Sequence, residues 1–188
     1  MGFKVKVLKN GKDLKKNLKK IQDTLGDGTA VLAGLPKNSI PYPNGTSVVL
    51  VGATHEFGAS ITVTPQMRGF FRGIGHPLKA STQTIRIPER SFLRATVKDR
   101  QNQKKYADFI KRGLQKMLEG KATSNDVASL LGQEVQFDIQ QKILEIKDPP
   151  NSPMTIQRKK SSNPLIDTGH LRQSIRFEVV DISEVQGE

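Results

Sequence analysis

Apolar positions along this chain repeat every second residue in a few short stretches and at helical spacing in longer ones. Phe3, Val5 and Val7 alternate with lysines, the pattern of a half-buried strand. Asn10-Gly11 marks a turn, and Asp13 can cap a helix that carries Leu14, Leu18, Ile21 and Leu25 on one face. Residues 29–35 predict a buried strand, and residues 36–45, with Pro36, Pro41, Pro43 and Asn44-Gly45, predict a loop. Residues 46–57 fit a strand by their β-branched run and a helix by their small residues. We read a helix capped by Thr46 and stopped by Gly58. Ile61 with Val63, and Ile85 with Ile87, predict two strands joined by a long glycine-rich arm.

From Ser91 the spacing turns helical. Phe92, Leu93 and Val97 start the run, and Tyr106, Phe109, Ile110, Leu114, Met117 and Leu118 continue it to Gly120. Gly113 falls on the same face and suits close approach of another helix, at some cost in propensity. Thr123-Ser124-Asn125-Asp126 is a capping box opening a helix through Ile146. Its apolar groups reach round more than one face, so it should touch two surfaces. Asp148-Pro149-Pro150 stops it. Residues 149–164 predict an extended loop, Asp167 or Thr168 a cap for a helical turn, and Ile175, Phe177 and Val179 a last strand. The predicted class is α+β: a small antiparallel sheet with long helices packed on one face. One domain over residues 1–188 is expected, with an arm at about 65–83 and an extended loop at about 149–164.

Charge adds a theme. The formal net charge is +12. Residues 1–20 hold eight lysines against one aspartate, and residues 86–121 hold eleven basic and four acidic groups, a local +7 in each case. Glu178, Asp181, Glu184 and Glu188 make the end acidic. Basic faces meet nucleic acid, acidic membranes or acidic proteins, or only keep a protein in solution. An acidic end on a basic body also lets copies pair head to tail. The absence of cysteine excludes disulfides and thiolate metal sites. The lysine-rich start has no signal-peptide core, and no apolar run approaches the roughly 20 residues of a membrane span.

Catalytic patterns are thin. His55-Glu56 is half of a zinc-protease motif, but Ala59 stands where the second histidine belongs. His55, His76 and His170 have no metal-ligand spacing. Asp167-Thr168-Gly169-His170 offers an acid, a hydroxyl and a base, yet helix capping accounts for the first two. No glycine-rich loop leads into Lys-Ser or Lys-Thr. We expect no enzyme, no catalytic residue, no cofactor and no metal. In the arm, Arg68, Phe70, Phe71, Arg72, His76 and Lys79 interleave base and aromatic. That suits stacking on single-stranded nucleic acid, an apolar anchor in a partner, or folding back on the protein's own core.

Four blocks then carry a resemblance. They are His55-Glu56-Phe57-Gly58; Ile87-Pro88-Glu89-Arg90-Ser91-Phe92-Leu93-Arg94; Pro149-Pro150-Asn151-Ser152-Pro153; and Pro164-Leu165-Ile166-Asp167-Thr168-Gly169-His170-Leu171-Arg172-Gln173-Ser174-Ile175. In this order they resemble the tail-completion and virion-morphogenesis proteins of tailed bacteriophages, of the Mu-like type. Residues 1–45 belong to no such block. The resemblance implies a structural virion protein that forms a ring at the head–tail neck. It would complete or terminate the tail and join it to the head, as a hexamer or dodecamer of itself. Its partners would be other neck, connector and tail-tube proteins and the passing genomic DNA, with no membrane. It would be made in the host bacterial cytoplasm and end in the virion. The alternative is a basic nucleic-acid-binding module.

Physically, Phe57 reads as a core plug, Gly58 as a sharp exit, and Arg90 as a two-pronged carboxylate clamp. Leu165 and Ile166 read as buried. Expected interface residues are Arg68, Phe70, Phe71, Arg72, Arg90, Pro149, Pro150, Arg158, Lys159 and Lys160. Expected lumen or rim charges are Lys15, Lys16, Lys19 and Lys20.

Overall fold

A computed structural model describes residues 28–181. The expected first strand, the helix after Asp13, and Lys15, Lys16, Lys19 and Lys20 lie outside the described residues, as do Glu184 and Glu188. Among the described residues there are four strands and seven helices. In chain order they are β1 (Thr29–Gly34), α1 (Val48–Phe57), β2 (Ala59–Thr62), α2 (Pro65–Gly73), β3 (Thr84–Ile87), α3 (Leu93–Lys98), α4 (Arg100–Leu118), α5 (Ser124–Glu145), α6 (Pro153–Lys159), α7 (His170–Gln173) and β4 (Arg176–Asp181). The fold is α+β with a small antiparallel strand set. The strands form two separate ladders, β1–β4 and β2–β3.

Contacts divide the chain into two units. One holds residues 28–32, 104–134 and 177–181 of those described. Here α4 and α5 meet where Gly113 lies against Val127, so closely that an added Cβ would overlap the valine methyls. Gly132 of α5 lies in the same way under the Phe177 ring of β4. The capping box at the start of α5 is reciprocal. The Asp126 amide donates to Thr123 Oγ1 at 3.1 Å, and the Thr123 amide donates to Asp126 Oδ2 at 2.9 Å.

The other unit holds residues 33–103 and 135–176. Its core joins Val48, Phe92, Ile139, Ile143, Leu165, Leu171 and Ile175. Ser47, one residue after the expected Thr46, caps α1 by accepting from the Leu50 amide. The β2–β3 pair is antiparallel in the register Ala59↔Ile87 to Thr62↔Thr84, stabilised by the β-branched run on each side.

Four expected features differ. The helix foreseen from Ser91 is two helices, broken at an extended Asp99. Asp99 Oδ1 accepts the Gln101 and Asn102 amides of α4, while the Asn102 and Gln103 side chains donate to Thr96 O and Val97 O at the end of α3. Polar side chains thus satisfy both sides of the break. The arm is not wholly irregular, because α2 lies within it, capped by Thr64 with Pro65 at the first position. The 149–164 loop contains α6, capped by Ser152 before Pro153. At α7, neither Asp167 nor Thr168 caps; left-handed Gly169 stands at the cap position with no side-chain hydrogen bond.

Candidate functional site

His55 and Glu56 close α1 side by side, and Glu56 faces inward with 2 % exposure. Its carboxylate accepts from Ser91 Oγ at 2.6 Å, from the amides of Phe92, Leu93 and Arg94 at 2.8, 2.9 and 2.9 Å, and from Arg94 Nε at 3.0 Å. The amides are those at the start of α3, which have no acceptor of their own within the helix. A carboxylate there also meets the positive end of the helix. Burial alone would raise the Glu56 pKa. The Ser91 hydroxyl and the Arg94, Leu93 and Phe92 amides outweigh it and hold the group below the ordinary glutamate value.

Phe57 is therefore not the core plug. It is 65 % exposed, because successive helical residues point about 100° apart and Glu56 already takes the inward position. The ring serves as a shelf for Arg94, whose guanidinium lies 4.6 Å from its centroid and also pairs with Glu89 at 2.9 Å. Gly58 makes the sharp exit at φ +73°. A Cβ there would be strained by that φ and would crowd Glu89 N and Ile87 O at 3.1 Å, so glycine is favoured on both counts.

Arg90 is 5 % exposed. Its two-pronged grip exists, but the target is a pair of backbone carbonyls and not a carboxylate. Nε donates to Pro149 O at 2.6 Å and Nη2 to Pro150 O at 2.9 Å. The Arg90 amide donates to His55 O at 2.7 Å. Arg90, Pro149 and Pro150 thus tie the first three blocks together. Lys159, at the end of α6, donates to Asn163 O and Pro164 O at 3.0 and 3.3 Å. Asn163 is a stitch in its own right: its side chain donates to Leu144 O and accepts the Leu165 and Ile166 amides. Leu165 is buried as expected, and Ile166 packs half-buried against the core.

A hollow of about 290 Å³ opens among these blocks, lined by His55, Asn151, Thr155, Lys159, Asp167 and Thr168 with neighbouring residues. Tyr42 and His170 form part of its wall, with ring centroids 4.8 Å apart and His170 Nε2 2.9 Å from Ile40 O. Burial, then the Arg90 and Lys159 charges, push the His55 pKa down to about 4, so its ring is neutral near pH 7. Burial lowers the Lys159 pKa against the pull of Asp167, and burial and Asp167 raise that of Tyr42. His55 Nδ1 and Asn151 Nδ2 are buried without a hydrogen-bond partner among the described residues. No three His, Asp or Glu side chains cluster as metal ligands among the described residues.

The arm residues sit apart from the hollow. Arg68 donates to the carbonyls of Lys79, Ala80 and Thr82, stapling α2 to the return chain. Phe70 is half exposed and meets Phe71 edge to face at 5.5 Å. Arg158 of α6 lies 5.8 Å from the Phe70 ring, so arm and loop meet there. Arg72 and Lys160 are exposed. Sequence reasoning missed Glu56 as a cap, and missed Asn151 and Asn163. Neither asparagine has a local signal, and the acceptor of the α3 amides lies 36 residues before Phe92. Comparison with family models, curated proteins and solved structures gives no match to this chain.

Proposed function

We propose that this chain is a structural virion protein of a tailed bacteriophage. It forms a ring at the head–tail neck that completes or terminates the tail and joins it to the head. The observation that carries the reading is the convergence of the four blocks. Glu56 binds the start of α3, Arg90 binds Pro149 and Pro150, and the last block closes the core through Leu165 and Leu171. Residues that supplied the resemblance therefore act as one structural unit. Exposed large apolar side chains give the reading further support: Ile40, Leu50, Phe70, Val97, Leu130 and Phe137 all face outward, as surfaces that a neighbour could bury. Leu130 and Phe137 lie on α5, whose apolar groups were expected to reach a second surface.

The test is electron microscopy of the purified full chain, with light scattering for mass. Closed rings support the reading; a monomer at all concentrations overturns it. The alternative, a nucleic-acid-binding module, draws on one observation. Arg100, Lys104, Lys111, Arg112 and Lys116 are exposed along α4. Tight, steeply salt-dependent DNA binding by a monomer would favour it.

A further inference from the structure

We propose that the hollow walled by His55, Asn151, Lys159 and Thr168 binds a carboxylate group, from a small free acid or from an acidic side chain of a peptide. Buried polar groups in proteins are almost always paired, and an unpaired one calls for an explanation, a bound group being one. Two residues that carry such an atom, His55 with Nδ1 and Asn151 with Nδ2, line the same hollow. Both are held in place from the backbone. The His55 carbonyl accepts the Arg90 amide, and Asn151 stands between Pro150, whose carbonyl Arg90 grips, and Ser152, the cap of α6.

The asparagine nitrogen can only donate, and imidazole donates in its Nδ1–H tautomer. An acceptor is therefore wanted. The charges that act on His55 are the Arg90 and Lys159 cations, so the local field favours an anion. Asp167 opposes them, but it is exposed at the rim and partly balances Lys159. Thr155 and Thr168 supply hydroxyls to the lining. The volume, about 290 Å³, lies at the small end for ligand sites. It suits a short acid or one side chain rather than a nucleotide. This inference stands whether or not the protein forms rings.

The test is NMR of the full chain in carboxylate-free buffer near neutral pH, following the His55 imidazole and the Asn151 side-chain amide. The probes are acetate and the peptide acetyl-Ala-Glu-Ala-amide. Chloride at equal ionic strength and the corresponding Gln peptide serve as controls. Saturable shifts with either carboxylate and none with the controls are expected. Stronger binding of the peptide assigns the site to a protein-borne carboxylate, and equal or stronger binding of acetate to a free acid. Asn151→Ala should weaken binding about tenfold or more, the usual effect of losing a hydrogen bond to a charged group. Thr168→Val, at the exposed rim, provides a second variant that leaves the α6 cap untouched. If neither carboxylate shifts the two side chains, or chloride and the Gln peptide shift them equally, the proposal is wrong.

Discussion

Glu56 shows how much one buried carboxylate can organise. Glu56→Gln keeps the shape but turns an NH2 group toward donors that then have no acceptor. The cost should be about 2–4 kcal/mol of folding stability, read from the shift in a denaturant midpoint at neutral pH. The sign of the pH dependence follows from its lowered pKa. A carboxylate held below its unfolded value stabilises the fold above that value, about 4.3 for glutamate, and loses the contribution as acid is added. His55 acts in an adjoining window. Its pKa in the fold is about 4, against about 6.5 unfolded. Between these values the unfolded chain takes up the proton first, so stability falls as pH drops. Wild-type stability should decline from about pH 6.5 downward in two stages. His55→Gln should flatten the first stage and Glu56→Gln the second. Denaturation curves taken across the acid range that are unchanged in both variants would exclude these groups as the cause.

At the level of elements, glycine–side-chain contact sets how closely α4 and α5 approach. Gly113→Ala gains about 1 kcal/mol of helix propensity, but its methyl overlaps the Val127 side chain, and overpacking costs about 1–3 kcal/mol. We expect net destabilisation, seen as a lower Tm, and partial rescue by adding Val127→Ala. The helical periodicity of the sequence places Gly113 on a face suited to close helix approach, though not its Val127 partner, and the α5 capping box and the α1 stop at Gly58 are equally legible. The Gly132–Phe177 contact was not legible, since nothing local joins residues 45 positions apart. The two missed helices share a reason. Both α2 and α6 open with Thr-Pro or Ser-Pro, a cap followed by proline at the first helical position. Surrounding glycines and prolines outweighed that signal in a reading that counted loop formers. At the site, the two-pronged Arg90 was legible but its target was not, because a carbonyl partner leaves no trace in side-chain identity. The arm itself is separable. The Val63 amide donates to Gln83 O at 2.9 Å, so residues 64–82 can be replaced by Asn-Gly, a two-residue hairpin turn. The shortened chain should still melt cooperatively, while on the proposed neck reading joined, infectious particles should no longer form. Normal particle yield would remove the arm from the assembly reading.

For the whole molecule, the decisive contrast is between two surfaces that respond oppositely to salt. Exposed apolar groups such as Phe70, Leu130 and Phe137 gain from leaving water, and salt does not weaken that gain. On the nucleic-acid reading, the exposed cations along α4 would work through phosphate neutralisation, which fades steeply as salt rises. If apolar surface drives self-association, the oligomer should persist when salt is raised, and its Tm should climb with protein concentration, because assembly stabilises by mass action. Phe70→Ser and Phe137→Ser should then lower the oligomer mass in light scattering while leaving the far-UV circular dichroism unchanged, since both rings are about half exposed and contribute little to either core. Charge reversal at Lys104 and Lys111 should leave the mass alone and remove any DNA retention. An oligomer that dissolves on adding salt, and survives both serine substitutions, would mean that charge and not apolar burial holds the copies together. That outcome would move the basic face of α4 from the DNA to the subunit contacts.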